Sequence, residues 1–400
     1  MEGSKKYILL QNNFSIAYTD NKCFINDAEC KKDDGSTLVL SEDEAKKMAE
    51  GYKQRLYNVF LKKHYKHIVI LTAAGTSLDN GGKSGKTREG LWKGCCTEIK
   101  KIYRELLPCG EKLKSIAKRK DIEAFLSHII LIEKTDEVKK EKIKSLRKEL
   151  ENKIKELCTL ELDDFAPHKD FLNKITARKN NDARVQLFTT NYDTLFEQAS
   201  NKAGFVMIDG FSFTQPREFA GKWFDLDIVN REKTRLKQEE SFISKVIHLY
   251  KLHGSLNWTR ENDKIIQKDS SIDSLIIYPA SEKYESSYEQ PYFEMMSRFQ
   301  QALRKEETLL IVIGFGFQDK HIKSVIVEAV EQNPSFQLLI VNYNADGSIS
   351  TDNLEEFFSD KDNWKVKRNV NIVFDKFKYF TEKYPENQTY YSKDEENETV

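Results

Sequence analysis

The six cysteines, at 23, 30, 95, 96, 109 and 158, include no CxxC pair, which argues against a zinc ribbon and offers no disulfide framework in a reducing compartment. They read as reduced thiols. Long hydrophobic runs are also missing: the longest span about eight residues, against the roughly 20 that a membrane-crossing helix needs. The opening MEGSKKYILLQNN holds no run of signal-peptide length, so the expected location is the cytoplasm, without a membrane partner. Excess charge is absent as well. Sixty-four basic residues offset 64 acidic ones, leaving no global field to hold nucleic acid.

What the chain does have is apolar and aromatic material for a sizeable core: 39% hydrophobic residues, 24 Phe and 17 Tyr in 400 residues. That length exceeds the usual range of about 100–200 residues per domain and suits one large domain carrying extra pieces. Short strands are expected at KYILL, FSIAYT and STLVL within residues 1–40, followed by a helix from Ser41, where Glu44 three places on completes a capping box. A charge-rich helical region follows at about 85–180, in which Ile143, Leu146, Leu150, Ile154 and Leu157 recur at three- and four-residue spacing. That stripe needs a partner, either its own domain or another subunit. From 185 onward strands and helices alternate, through RVQLFTT, SKVIHLYKLHG, SLIIYPA, TLLIVIGFGF and FQLLIVNYN, which predicts a mostly parallel sheet covered by helices on both faces. Residues 381–400 are polar and acidic and read as a loose tail.

Four segments end apolar runs: IVILTAAGTS at 68–77, VQLFTTNYD at 185–193, YKLHGS at 250–255 and LLIVIGFGFQD at 309–319. Strand ends of a parallel sheet are where an α/β domain assembles its site. After the first, the small residues Ala73, Ala74 and Gly75 would let a pyrophosphate approach the backbone. The later GKSGKT is not a P-loop, because Asn80 stands where the first glycine of that motif belongs. Similarly, Asp319 occupies the third glycine position of a GxGxxG read from Gly314 and Gly316. Asn191 and Asp193 of TTNYD suit either helix capping or the binding of ribose and water. His253, at a strand end before Gly254, suits a general base.

Taken together and in order, these segments resemble the sirtuin family. The GAG[IT]S-type loop corresponds to Ala73-Ala74-Gly75-Thr76-Ser77, the TQN[IV]D motif to Thr189-Thr190-Asn191-Tyr192-Asp193, the HG pair to His253-Gly254, and the glycine strand end to Gly314-Phe315-Gly316. Asn342 closes a last strand, and the resemblance spans about 65–345. Departures are the missing zinc ribbon, the helical insertion, Ala73 in place of a glycine, and LDNGGKSGKTREG in place of GIPDFR, which leaves Asp79 and Arg88 as alternatives for that part of the pocket. YKLHGSLNW, IIYPASEKY followed by QPY, and GFGFQDKHI are similar to bacterial sirtuin-like effectors of antiphage defence, which hydrolyse NAD+ rather than deacylate proteins.

The resemblance implies an α/β, Rossmann-like fold over residues 61–360 with a helical insertion at about 95–180, an N-terminal extension at 1–60 and a C-terminal strand and tail at 361–400. It implies an NAD+ hydrolase with NAD as substrate and no metal. Asn191 would position ribose and water, His253 would take a proton, and Asp193 would buttress Asn191. Ala73, Gly75, Thr76 and Ser77 would cradle the pyrophosphate, with Asp79 and Thr190 nearby, and Gly314, Phe315, Gly316 and Asn342 would face the adenosine half. A homo-oligomer is expected, with a partner ATPase acting in trans. The alternatives are a protein deacylase or ADP-ribosyltransferase, and a non-catalytic module that binds NAD or ADP-ribose.

Overall fold

The computed structural model describes residues 5–32, 34–106, 111–136, 138–179, 182–230, 242–268, 290–343 and 353–386. Four short strands open the chain, β1 (Lys6–Gln11), β2 (Phe14–Tyr18), β3 (Cys23–Ile25) and β4 (Ala28–Glu29), and lead into helix α1 (Glu42–Leu61). Glu44 accepts the Ser41 backbone N–H at 2.9 Å, the return contact of the expected capping box. The strand expected at STLVL is reduced to one bridge between Lys31 and Thr37, and Val39 is 90% exposed; with nothing apolar to cover it, the segment stays a loop.

Strand β5 (His67–Thr72) then runs into the short helix α2 (Ala74–Leu78) and the helices α3 (Arg88–Gly94), α4 (Cys96–Glu105), α5 (Glu111–Arg119), α6 (Ile122–Thr135), α7 (Lys140–Cys158) and α8 (His168–Thr176). Next come β6 (Gln186–Thr189), α9 (Leu195–Lys202), β7 (Val206–Ile208), β8 (Arg217–Glu218), β9 (Val246–Lys251), β10 (Trp258–Glu261) and β11 (Lys264–Gln267). The chain continues through α10 (Tyr292–Leu303), β12 (Thr308–Ile313), α11 (Lys320–Gln332), β13 (Gln337–Val341), β14 (Phe358–Asp360), β15 (Lys365–Val366), β16 (Val370–Val373) and α12 (Phe377–Lys383). The strand expected at SLIIYPA lies outside the described residues, as does the expected tail from residue 387. Residues 381–383 of that tail instead complete α12, and Thr381 and Tyr384 are buried, Tyr384 in the core with Phe380.

The central sheet is ordered β4-β3-β2-β1-β16-β13-β12-β5-β6-β9-β7. From β16 to β7 all pairings are parallel, so the predicted mostly parallel α/β architecture is the one observed. Residues expected as an N-terminal extension continue this sheet as an antiparallel meander, β1 pairing with β16. Both faces of the middle strands are buried. In β5 Val69 and Leu71 enter one core with Leu310 and Val312 of β12, while Ile68 and Ile70 enter the other with Leu309 and Ile311. This two-residue alternation with apolar groups on both sides explains why the strands read as unbroken hydrophobic runs. Met295 and Phe299 of α10 and Ile322 and Ile326 of α11 cover the first face. Tyr57 of α1, Phe171 of α8, Leu195 of α9 and Phe380 of α12 cover the second.

Helices α3–α7 form a satellite bundle with its own core. The Ile143, Leu150 and Ile154 stripe is buried there with Ile99, Ile102, Phe125 and Leu126, while Leu146 and Leu157 pack against its edge. At about 1.5–3 kcal/mol per buried aliphatic side chain, this intramolecular packing accounts for the stripe.

Candidate functional site

Strand β5 has β12 on one side and β6 on the other, so successive connections leave it in opposite directions and a crevice opens beyond the carboxyl ends of these strands. Two glycines line it where the strand ends meet. Gly75 donates its N–H to Gly314 O at 3.2 Å, and a Cβ on Gly75 would stand 2.5 Å from Gly314 Cα. Gly314 has φ +64°, and a side chain there would run into the Gly75 backbone. Neither position has room for a methyl group.

The crevice has a volume of about 800 Å3, and most of the expected site residues line it: Ala73, Gly75, Ser77, Asp79, Thr190, Asn191, Asp193, His253, Gly314, Phe315, Gly316 and Asn342. Thr76 differs. It is fully buried, its N–H and hydroxyl both directed at Ala73 O at 2.9 Å, so it shapes the turn from within. The N–H groups of Gly75 and Thr76 are therefore committed inside the protein. Gly75 contributes space to the cleft, and the expected backbone cradle does not run through these two donors.

Asn191 leaves β6 with its side-chain Nδ2 within 3.0 Å of Ala73 O, 3.1 Å of Thr76 Oγ1 and 2.8 Å of Ser77 Oγ. These acceptors fix the amide nitrogen toward the turn after β5, which turns Oδ1 away from it on a residue that lines the cleft. Ser77 donates its hydroxyl to Asp193 Oδ2 at 2.6 Å, and Asp193 Oδ1 accepts the Leu195 N–H at 3.1 Å, at the start of α9. The expected buttress thus works through Ser77. Beneath it, buried Lys251 donates to Asp193 O and to Glu197 Oε1, the latter at 2.9 Å.

His253 follows β9, and the Gly254 φ of +84° turns the chain sharply behind it. Its Nε2 is 3.1 Å from Asp319 Oδ2. Asp319 also accepts the N–H groups of His321 at 2.9 Å and Ile322 at 3.2 Å, capping α11. Burial pushes the Asp319 carboxyl up, but the hydrogen bond and charge of His253 together with the two backbone donors outweigh it, and the net shift is downward. The residue that spoils a GxGxxG reading is therefore the partner of the candidate base, a role the sequence did not indicate.

Asp79 accepts the Lys378 N–H at 2.9 Å and so ties α2 to α12. The bundle α3–α7 also lines the cleft, through Arg88, Glu89, Leu91, Ile122, Glu123 and Cys158. Nothing in the spacing of that charge-rich stretch singles out Glu123. Tyr192 donates its hydroxyl to Glu123 Oε1 at 3.4 Å, and Arg88 lies 3.6 Å from Oε2. Burial pushes the Glu123 carboxyl up, restrained by the charges of His253 and Arg88. The Cys158 thiol is pushed up to about 12 by burial and the neighbouring Asp193, so it is not an activated nucleophile.

Among the described residues, no cluster of three or more His, Cys, Asp and Glu could hold a metal ion, and no helix is long and apolar enough to cross a membrane. Residues 185–363 match the family described as the SIR2-like domain. No curated protein matches the chain. The family match begins at the strand carrying Asn191 and takes in His253, Gly314, Asp319 and Asn342, while the turn at 73–79 lies before it.

Proposed function

We propose that this protein is an NAD+ hydrolase that cleaves the nicotinamide–ribose bond. The observation that carries the reading is the convergence of Asn191 and His253, from neighbouring parallel strands, on one cleft beside the Gly75–Gly314 contact. The SIR2-like match over both residues supports NAD as the ligand. The bond between C1′ and the pyridinium nitrogen breaks with its electron pair passing to the ring, which leaves as neutral nicotinamide. No acid is needed for that departure. A water oxygen bonds to C1′ and loses its proton to His253, giving ADP-ribose and one proton. Asn191 Oδ1 suits a hydroxyl of the ribose or the attacking water, and the Asp319 carboxylate stabilises the protonated His253. Water and C1′ held together in such a cleft require little further organisation.

Such a reaction drains a central cofactor, so the proposal includes silencing in the resting cell, by homo-oligomerisation and a partner ATPase acting in trans. A role as an antiphage effector rests on the sequence resemblance alone. The decisive experiment incubates the protein with NAD+ and follows nicotinamide by chromatography, with Asn191→Ala and His253→Ala beside it. Each change is expected to cost at least about a hundredfold, the scale of a lost base or positioned donor. Unaltered turnover in both variants overturns the site. Nicotinamide release only with an acyl-lysine peptide would make it a deacylase, and NAD binding without turnover a non-catalytic module.

A further inference from the structure

The bundle α3–α7 contributes two acidic side chains to the lining of the cleft, Glu89 and Glu123, and of these Glu123 is the one tied to the reacting groups. It retains 19% side-chain exposure and lines the cleft together with Arg88, Leu91 and Ile122. Its position along the cleft is fixed by its neighbours. Tyr192, next in sequence to Asn191, donates to it, and it interacts electrostatically with His253 and Asp319. It therefore belongs to the same end of the crevice as the reacting groups, while Tyr343 and Lys376 line the cleft beyond Asn342 at the ends of β13 and β16. Arg88 opposes it loosely, at 3.6 Å, and keeps 35% of its own side chain exposed, so the ion pair leaves part of the carboxylate field unneutralised.

A partly buried carboxylate whose charge is incompletely paired favours a cationic ring over a neutral one. We infer that Glu123 is a charge-recognition residue that makes the site select the oxidised, cationic nicotinamide ring over the neutral reduced one, an assignment that rests on the NAD+ reading above. NAD+ and NADH share every other group, so the discrimination falls on the ring charge. The same carboxylate then faces the positive charge as it moves from the ring toward C1′ during cleavage. Burial raises the free-energy cost of the Glu123 charge, and a cation in the cleft offsets that cost.

The test measures binding by calorimetry in an Asn191→Ala background, where turnover is expected to be at least about a hundredfold slower, with NAD+, NADH and ADP-ribose as the three probes. The parent is expected to prefer NAD+ over NADH by at least about tenfold, and adding Glu123→Gln should bring the two within about threefold while ADP-ribose, which has no nicotinamide ring, keeps its affinity. An unchanged NAD+ preference in the Gln variant overturns the inference alone, as does equal weakening of all three probes, which would mark Glu123 as structural. Absence of binding by both NAD+ and ADP-ribose in the parent overturns the dinucleotide reading and the inference with it. Arg88→Met removes the opposing charge without touching the carboxyl and should keep or sharpen the preference. Loss of the preference in that variant would transfer the selectivity to the guanidinium and overturn the assignment.

Discussion

Ser77 donates its hydroxyl to Asp193 at 2.6 Å across the gap between the turns that follow β5 and β6. Because the same oxygen accepts from Asn191 at 2.8 Å, one small side chain sets the position of the amide and partners the buried carboxylate. Ser77→Ala should therefore lower kcat by roughly 10- to 100-fold, with KM changed less, since the amide loses an acceptor that aims it. It should also lower stability by about 1–3 kcal/mol, the cost of leaving a buried carboxylate oxygen without its donor. Steady-state kinetics and urea unfolding on the same preparation check both. Full activity would mean that Ala73 and Thr76 orient the amide without help.

The Gly75–Gly314 contact gives a sharper test of the architecture. Gly314→Ala places a methyl group against the Gly75 backbone and forces φ +64° on an alanine, so both steric and conformational costs apply. Gly316→Ala lies two residues along, with nothing within 4 Å of the added carbon. The first is expected to lose at least about 2 kcal/mol in a denaturant titration and most of its NAD+ binding, and the second to stay within about 0.5 kcal/mol of the parent. Equal effects of the two would mean that the strand ends can separate without cost.

How much of this was legible in the residues depends on the range of the interaction that decides each feature. The strands β5, β6, β9 and β12 are bounded by β-branched runs and small residues, local signals that place Asn191, His253 and Gly314 at strand ends. Thr76 was expected beside the pyrophosphate, yet in a one-turn helix the side chains of successive residues point in different directions, and Thr76 faces the turn while Ser77 faces the cleft. The link between His253 and Asp319 spans 66 residues and depends on the start of α11 reaching the turn after β9, which no spacing encodes. Glu123 is one of many acids in a helical insertion, and only the docking of that bundle over the sheet makes it part of the site. The N-terminal strands read correctly as strands, but their joining to β16 at the far end of the chain is a long-range pairing.

The raised carboxyl of Glu123 carries a stability prediction of definite sign. An acid whose folded value lies above its ordinary 4.5 binds more protons folded than unfolded between those two values, so the folded state loses stability as pH rises through that window and stays at the lower level above it. Glu123→Gln removes this titration. The variant should melt at or above the parent temperature at pH 8, by on the order of 1 °C or more, and the gap should close as pH falls toward 4.5. A variant that loses its ligand preference yet gains stability is the pattern expected of a functional group held in an unfavourable environment. Thermal melts across that range decide it, and a Gln variant that melts lower at every pH would mean that the contacts to Arg88 and Tyr192 outweigh burial.

Lys251 supports the site from below, and its energetics follow from burial. Its side chain is 2% exposed and that of Glu197 20%, and the ammonium also holds Asp193 O, which sets the turn on which Asn191 and Asp193 sit. Burial pushes the Glu197 carboxyl up, with Lys251 opposing, so removal of the cation leaves a largely buried acid with no compensating charge. Lys251→Met should cost roughly 3 kcal/mol and reduce turnover through displacement of the turn. In Lys251→Met/Glu197→Gln the uncompensated charge is gone, and more than half of the lost stability should return, giving a coupling of about 1 kcal/mol or more in a double-mutant cycle. Turnover should return less than stability, because the hydrogen bond to Asp193 O is still missing. Recovery of both together would show that the charge pair alone matters to the site, and recovery of neither would locate the role of Lys251 in its grip on the Asp193 carbonyl.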